Sequence, residues 1–260
     1  MSRLQEHKTA KEKIREILKN PNDYLIIHYS SEHQIDNKDY RSPRITSIAV
    51  KYLDSENVKS FSIHLSAEIL KIAAHDIEQR YDDCEADMLK TFFKFVEQSQ
   101  SYKWLHWSMR NSNYGFYAIE HRFRVLVDSS TPTVIENKMK IDISELLKQC
   151  YGNNYIGHRR IEKLLKKNNY ELEDFLTGEE EVTAFDEKQY IKLHKSTLRK
   201  VRLFHQFLVA ANNGSLKIDA KWYKILGITP QSIYYYVHDK WWFWLISVIS
   251  GMIAFYINYR

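Results

Sequence analysis

Cysteine, proline and glycine are scarce in this chain of 260 residues, which contains two, four and seven of them. The two cysteines, Cys84 and Cys150, are too few for the disulfide framework of a small secreted protein or for a structural zinc site. The low glycine and proline content is not typical of collagen-like or low-complexity chains. The composition therefore predicts a folded domain with an ordinary core, in a reducing cytosolic compartment.

Charge is absent from a long stretch near the C-terminus. No charged residue lies between Lys240 and Arg260. As a helix, this stretch would be about 28 Å long, close to the roughly 30 Å hydrocarbon core of a bilayer. Three tryptophans at one end and two tyrosines at the other are typical of the aromatic belts at membrane surfaces. The pattern predicts a transmembrane helix, and the alternative is a buried C-terminal helix of a soluble domain.

Positive charge is unevenly distributed along the chain. The formal net charge of +5 is modest, but basic residues cluster at Arg159-Arg160, at Lys166-Lys167 and between Lys195 and Arg202. Such clusters indicate an anionic partner, either nucleic acid or the lipid of an inner membrane leaflet. Charge alone does not distinguish these two partners.

Hydrophobic patterning predicts an α/β fold. Apolar, β-branched runs indicate strands over 24–29, 44–52 and 60–64, which short connections would join into an antiparallel meander. Helical periodicity follows over 67–100, then a fourth strand over 103–107, and mainly helices from 143 to 209. The predicted division is an N-terminal helix over 1–20, a main domain over 21–210, a connector over 211–239 and the transmembrane helix over 240–260.

The order of elements resembles the ribonuclease H-like 3′–5′ exonucleases of the DEDD type. The resemblance is carried by Arg44-Ile45-Thr46-Ser47-Ile48-Ala49-Val50, which is close to the family's pattern in the second strand. It implies a ribonuclease H-like mixed sheet flanked by helices over roughly residues 22–210. In that family, four carboxylates hold two divalent cations that stabilise the attacking and leaving oxygens of a phosphodiester.

The first two carboxylate motifs are incomplete in this chain. The Asp-x-Glu pair expected at the end of the first strand falls at Ser30-Ser31-Glu32, so only Glu32 is retained. An alternative register places His28 and Ser30 there and retains neither carboxylate. The motif after the fourth strand begins at His106, and Asn111 stands where the family has a metal-binding aspartate.

The third motif falls on a late helix, at residues 194–199. It keeps His194, the family's general base, but replaces the last carboxylate with Arg199, which is always protonated. The resemblance therefore implies a domain without catalytic residues, metal or other cofactor, which would hold phosphates through arginine and stack bases on Trp107. The predicted nucleic-acid-binding residues are Ser30, Glu32, His106, Trp107, Arg110, Asn111, His194, Lys195, Arg199, Lys200 and Arg202.

Simpler interpretations of the same residues stay open. His106 and Trp107 on a strand are more often core residues than ligand contacts. The basic stretch 195–202 is equally consistent with the solvated face of a helix. A separate metal site built from carboxylates such as Glu32, Glu68 and Glu120 is a further alternative, although no metal-ligand spacing connects them.

A nucleic-acid-binding head before a membrane tail resembles the membrane effectors of bacterial antiphage defence, such as those of Hailong systems. This resemblance implies a homo-oligomeric pore in the inner membrane, single-pass, with a cytoplasmic head that binds a single-stranded DNA oligomer made by a partner nucleotidyltransferase. Small residues would let the helices approach closely. The alternatives are an active membrane-tethered 3′–5′ exonuclease and a soluble scaffold with a buried aromatic tail. The predicted pore residues are Ser247, Ser250, Gly251 and Ala254.

Overall fold

A computed structural model describes residues 1–32, 42–109, 114–127, 131–238 and 241–259. For residues 241–243 and 245–247 it describes the backbone alone. Arg110 and Asn111, both predicted to bind nucleic acid, lie outside the described residues. The same holds for the side chain of Ser247, one of the predicted pore residues.

One mixed sheet forms the centre of the protein. Its strands are β1 (Tyr24–Ser31), β2 (Ile45–Tyr52), β3 (Val58–Ser62), β4 (Lys103–His106) and β5 (Lys140–Asp142). Their order across the sheet is β3-β2-β1-β4-β5. β2 is antiparallel to both β1 and β3, whereas β4 is parallel to β1 and β5 is parallel to β4. The predicted antiparallel meander is confirmed, and β5 was not predicted.

Helices cover both faces of this sheet. Those of the described residues are α1 (Arg3–Lys19), α2 (Ile63–Ile69), α3 (Tyr81–Gln98), α4 (Phe116–Leu126), α5 (Ile143–Tyr151), α6 (Arg160–Lys167), α7 (Gly178–Asp186), α8 (Tyr190–Asn212), α9 (Trp222–Leu226), α10 (Pro230–His238) and α11 (Trp241–Asn258). The single helix predicted over 67–100 is instead α2 and α3, because the chain turns at Lys71, whose φ is 57°.

β1 is buried on both faces, which explains its continuous apolar sequence. Leu25, Ile27 and Tyr29 pack into one core with α3 and α4. Tyr24 and Ile26 pack into a second core with α1, α5 and α8. Successive side chains of a strand point to opposite faces, so the even-numbered residues of β1 face α8. This places His28 and Ser30 on the α8 side of the sheet.

The long helix α8 crosses β1 and β2. Its Val201, Phe204 and Phe207 are fully buried against the sheet. At its N-terminal half, the hydroxyl groups of Thr197 and Ser47 are hydrogen-bonded at 2.7 Å. These contacts fix the position of α8 relative to β1, and therefore of every polar side chain that α8 directs toward the strand ends.

A buried ion pair joins α3 to α4. Glu85, which is fully buried, accepts hydrogen bonds from Arg122 Nε at 2.9 Å and Nη2 at 2.8 Å. It also accepts one from the backbone N–H of Ile45 at 2.8 Å, and Arg122 donates a further bond to Asp82 at 2.7 Å. Burial raises the pKa of the Glu85 carboxyl despite these donors. The pair therefore ties two helices to the first residue of β2.

The C-terminal segment differs from the prediction of a transmembrane helix over 240–260. Within the described ranges, no helix is long and apolar enough to cross a membrane. With eighteen residues, α11 is about 27 Å long, which is less than the roughly 30 Å of a bilayer core. On α11, Ser250, Gly251 and Ala254 are exposed. Their role in pore packing stays a prediction.

Candidate functional site

A cleft of about 990 Å³ opens where β1 and β4 end. His28 of β1 forms part of its floor, together with Trp107 and Ser108, which directly follow β4. Ligands of open α/β sheets bind outside the carboxyl ends of the parallel strands. The cleft therefore occupies the expected place for a ligand, and it is the candidate site. Its walls are residues 158–162 and 175–179, with Glu181, Val182, Tyr114, Asp186 and Lys200.

His28 lines this cleft and contains a buried nitrogen without a hydrogen bond in the described part of the chain. Its side chain is 6 % exposed and packs edge-on against Phe204, with ring centroids 5.4 Å apart. Nδ1 has no hydrogen-bond partner among the described residues. Burial, with a smaller effect of the Lys200 charge, holds the pKa of His28 well below its usual value. The imidazole is therefore neutral at pH 7, and a ligand could satisfy its free nitrogen.

At the side of the cleft, one carboxylate oxygen contacts three donor groups. Glu181 Oε1, on α7, lies 2.6 Å from the Nζ of Lys200, which is only 6 % exposed. The same oxygen accepts hydrogen bonds from Ser30 Oγ at 3.1 Å and from Ser196 Oγ at 3.0 Å. Ser196 and Lys200 are one turn apart on α8, so both reach the same point. β1, α7 and α8 together thus build a compact anion-binding position.

The rim of the cleft carries two arginines at the start of α6, with Arg159 directly before the helix and Arg160 as its first residue. Arg159 forms an ion pair with Glu179 at the start of α7. Arg160 donates from Nη2 to the carbonyl of Asn153 at 3.3 Å, and its buried Nε lacks a partner within the described chain. Both cations face carboxylates of α7 or the cleft itself. The rim is therefore mixed in charge, with positive groups available if the α7 carboxylates are displaced.

Trp107 lies at the floor as a core residue. Its ring stacks on Phe204, with centroids 5.2 Å apart and an interplanar angle of 18°, and it also contacts Phe207. One face of the ring is thus occupied by α8. This packing agrees with the simpler interpretation of Trp107 and leaves little of the ring for a base. Tyr114 stacks in a similar way on Tyr29, at 4.7 Å.

Two other predicted site residues near the strand ends also have structural contacts. His106 is fully buried, accepts the Met109 N–H on Nδ1 at 3.2 Å and lies edge-on to Phe116. Glu32 accepts the Arg44 N–H at 3.3 Å and is not among the residues that line the cleft. The alternative register, with His28 and Ser30, agrees better with the geometry, because His28 lines the cleft and Ser30 donates a hydrogen bond to Glu181, which also lines it.

The basic stretch of α8 is divided among separate surroundings. His194 faces His64, with Nδ1 3.4 Å from Nε2, and does not line the cleft. Arg199 donates to the Glu171 carbonyl at 2.8 Å, and Lys195 lies 3.7 Å from Asp174. Arg202 is exposed and does not line the cleft. Among the basic residues of this stretch, Lys200 lines the cleft.

Several residues of the site were not predicted. Glu181 and Ser196 complete the anion position, and Tyr114 lines the cleft. Their sequence signals are weak, because Glu181 belongs to an ordinary acidic first turn of a helix. In the sequence, Arg159-Arg160 is recognisable only as a basic cluster. No three His, Cys, Asp or Glu side chains of the described residues are grouped so that they could hold a metal ion.

The buried His194 makes stability sensitive to acid. Burial and the neighbouring His64 lower the pKa of His194 to about 4. The unfolded chain, with a histidine pKa of about 6.5, binds a proton that the folded chain does not accept between pH 6.5 and 4. Stability should therefore be complete above about pH 6.5 and decrease by about 2–3 kcal/mol toward pH 4. Urea unfolding at several pH values measures this loss.

The matched comparison is His194→Gln against the exposed His75→Gln. The first variant should lose a large part of the acid dependence, and the second should keep the dependence of the parent chain. Part of the dependence remains in His194→Gln because burial also lowers the pKa values of His28 and His64. Identical pH profiles for the parent chain and His194→Gln would show that His194 does not have this role.

Comparison with known proteins gave no match to a family model, a curated protein or a solved structure. The function must therefore be inferred from the cleft itself. Its parts are a buried ammonium group, a neutral histidine, two arginines at the rim and aromatic rings in the floor and walls.

Proposed function

We propose that the chain binds single-stranded nucleic acid in the cleft at the ends of β1 and β4, and does not cleave it. The observation that carries the proposal is the buried Lys200, whose ammonium group shares Glu181 Oε1 with Ser30 near the end of β1. In the exonucleases that the chain resembles, a metal-binding carboxylate would stand at this end of the first strand. A fixed ammonium group at this position attracts a phosphate and repels a divalent cation.

The chemistry of the surrounding residues supports this proposal. In the register that the geometry favours, both acidic positions of the first motif are replaced, by His28 and by Ser30. The arginines of the rim can form bidentate bonds with phosphate oxygens once they leave their present partners. The mixed sheet with its antiparallel meander agrees with the resemblance to the ribonuclease H-like exonucleases, and we include that kinship in the proposal.

The wider role inferred from the layout of the chain belongs to the same proposal. A nucleic-acid-binding head that does not cleave its ligand would act as a sensor, as in the membrane effectors of antiphage defence. A DNA oligomer made by a partner nucleotidyltransferase, a homo-oligomeric pore and a place at the inner membrane stay predictions. The finding on α11 gives the pore no support.

Binding without hydrolysis is measured directly with a labelled single strand. Fluorescence anisotropy should show saturable binding of a mixed-sequence DNA oligomer, with similar affinity in EDTA and in Mg²⁺. Affinity should decrease as salt increases, because phosphate contacts release counterions. Gel analysis of the same strand after incubation with Mg²⁺ or Mn²⁺ should show full-length product.

The alternative of an active exonuclease predicts the opposite result. It requires metal-dependent shortening of the strand from its 3′ end, and this shortening should be lost in Glu32→Gln. That outcome would replace the proposal, because Glu32 is the acidic residue that the first motif retains. Failure of any strand to bind, with or without metal, would also contradict it.

A further inference from the structure

We infer that the anion position formed by Ser30, Ser196 and Lys200 takes a terminal phosphate monoester, so that the cleft recognises the phosphorylated end of a strand or a mononucleotide. This inference rests on the proposed function and specifies its ligand. It concerns the deep side of the cleft, where Glu181 now occupies the anion position.

The donors of the anion position are deeply buried. Ser30 is 4 % exposed, Lys200 6 % and Ser196 fully buried. Of this group, Lys200 and Glu181 line the cleft, so an anion that enters the cleft meets these two side chains before the two hydroxyl groups. A phosphodiester has chain on both sides and needs a groove that is open in two directions. A monoester is attached on one side and can enter a position that is closed at the back. The depth of the donors therefore favours a chain end.

Glu181 competes with any ligand for this position. Any anion that binds here must replace a carboxylate that carries one negative charge and accepts from three donors. A phosphate monoester carries about −1.5 to −2 charges at pH 7 and has three strong acceptor oxygens. It therefore offers a greater charge and one acceptor for each of the three donors. A diester, with a single charge, gains little over the carboxylate that it displaces.

Two polar atoms that have no partner among the described residues border the same cleft. His28 Nδ1 and Arg160 Nε are both buried beside the cleft without partners in the described chain. An unsatisfied buried polar group destabilises the free protein, and a ligand that forms the missing bond removes this cost. The cleft volume of about 990 Å³ leaves room for a nucleotide next to the phosphate. These groups would hold the sugar or base of the terminal nucleotide.

Oligonucleotides that differ only at their ends test the inference. Anisotropy compares a 12-residue DNA strand with a 5′-phosphate, a 3′-phosphate or hydroxyl groups at both ends, each labelled internally. One phosphorylated strand should bind at least about tenfold more tightly than the hydroxyl strand, which corresponds to roughly 1.4 kcal/mol. A nucleoside monophosphate should compete with that strand, whereas the nucleoside should not.

Glu181→Gln provides the matched test of the competition. Because the competing carboxylate charge is lost, Glu181→Gln should bind the phosphorylated strand severalfold more tightly than the parent chain does. Its affinity for the hydroxyl strand should change little. Glu187→Gln, at the exposed C-terminal end of α7, is the control and should bind like the parent chain. Thermal unfolding of both variants checks that they are folded, because Glu181→Gln leaves Lys200 without its carboxylate.

The outcomes separate the inference from the proposed function. Equal affinities for phosphorylated and hydroxyl strands, in both the parent chain and Glu181→Gln, overturn the inference and leave nucleic-acid binding intact. If no strand binds, the proposed function fails, and calorimetry with a nucleoside monophosphate then decides the inference. A heat of binding that the parent chain shows and Lys200→Met does not show supports a monoester site. If the parent chain shows no heat of binding, the inference is overturned.

Discussion

Arg122→Met should lower the free energy of unfolding by about 3–5 kcal/mol, because it leaves the buried carboxylate of Glu85 without its main partner. Glu85 is fully buried and would keep only the Ile45 N–H as a donor in place of three hydrogen bonds from the guanidinium. Chemical denaturation, followed by circular dichroism, measures the change. The loss should shift the midpoint with little change in the slope, since the surface exposed on unfolding stays similar.

Two variants make this result specific. Arg124→Met removes a half-exposed arginine from the same helix, whose contact with Glu120 is 3.9 Å, and should cost less than about 1 kcal/mol. Arg122→Met combined with Glu85→Gln removes the charge that was left unpaired and should recover part of the lost stability. A double variant no more stable than Arg122→Met would indicate that packing around Arg122, and not the unpaired charge, causes the loss.

The sequence identified the strands best where both faces of the sheet are buried. The run from Tyr24 to Tyr29 is apolar at successive positions because each face of β1 packs against helices, and such runs are readily recognised. β5, with residues Lys140–Asp142, is too short to show alternation. Its pairing with β4 depends on the sheet edge that β4 provides, which the local sequence does not encode.

Two residues of the anion position, Ser30 and Lys200, belong to the predicted nucleic-acid-binding set, but the geometry gives a different reason for grouping them. Lys200 was grouped with neighbouring cations as part of a basic stretch of α8. Helical periodicity separates these residues, because side chains one position apart point about 100° away from each other. Lys200 turns toward Glu181, whereas Arg199 turns toward Glu171.

The register of β1 could not be chosen from the motif alone. The two registers differ by two residues, which keeps the side chains on the same face of the sheet and moves them along the strand. The positions of α7 and α8 decide which part of that face borders the cleft, and the position of α8 depends on long-range contacts such as Ser47 with Thr197. Glu181 could not be found for the same reason, since a carboxylate on α7 becomes part of the site only when α7 packs beside α8.

Lys200→Met should weaken the binding of a phosphorylated single strand about 100-fold, which corresponds to roughly 2.7 kcal/mol. The ammonium group is the buried cation of the anion position, and its contact with a phosphate would form in a region that excludes most water. Charge-assisted bonds of this kind are about twice as strong as neutral ones. The substitution also leaves the Glu181 carboxylate unneutralised, and this charge repels an incoming phosphate. Anisotropy with the strand used above measures the loss.

A second variant separates the missing attraction from the added repulsion. In Lys200→Met combined with Glu181→Gln, both charges are absent, so affinity should recover partly but remain well below that of the parent chain. Lys192→Met, on the exposed side of the same helix and away from the cleft, should bind like the parent chain. If the double variant binds as tightly as the parent chain, the ammonium group contributes nothing to the ligand, and Lys200 serves only to neutralise Glu181.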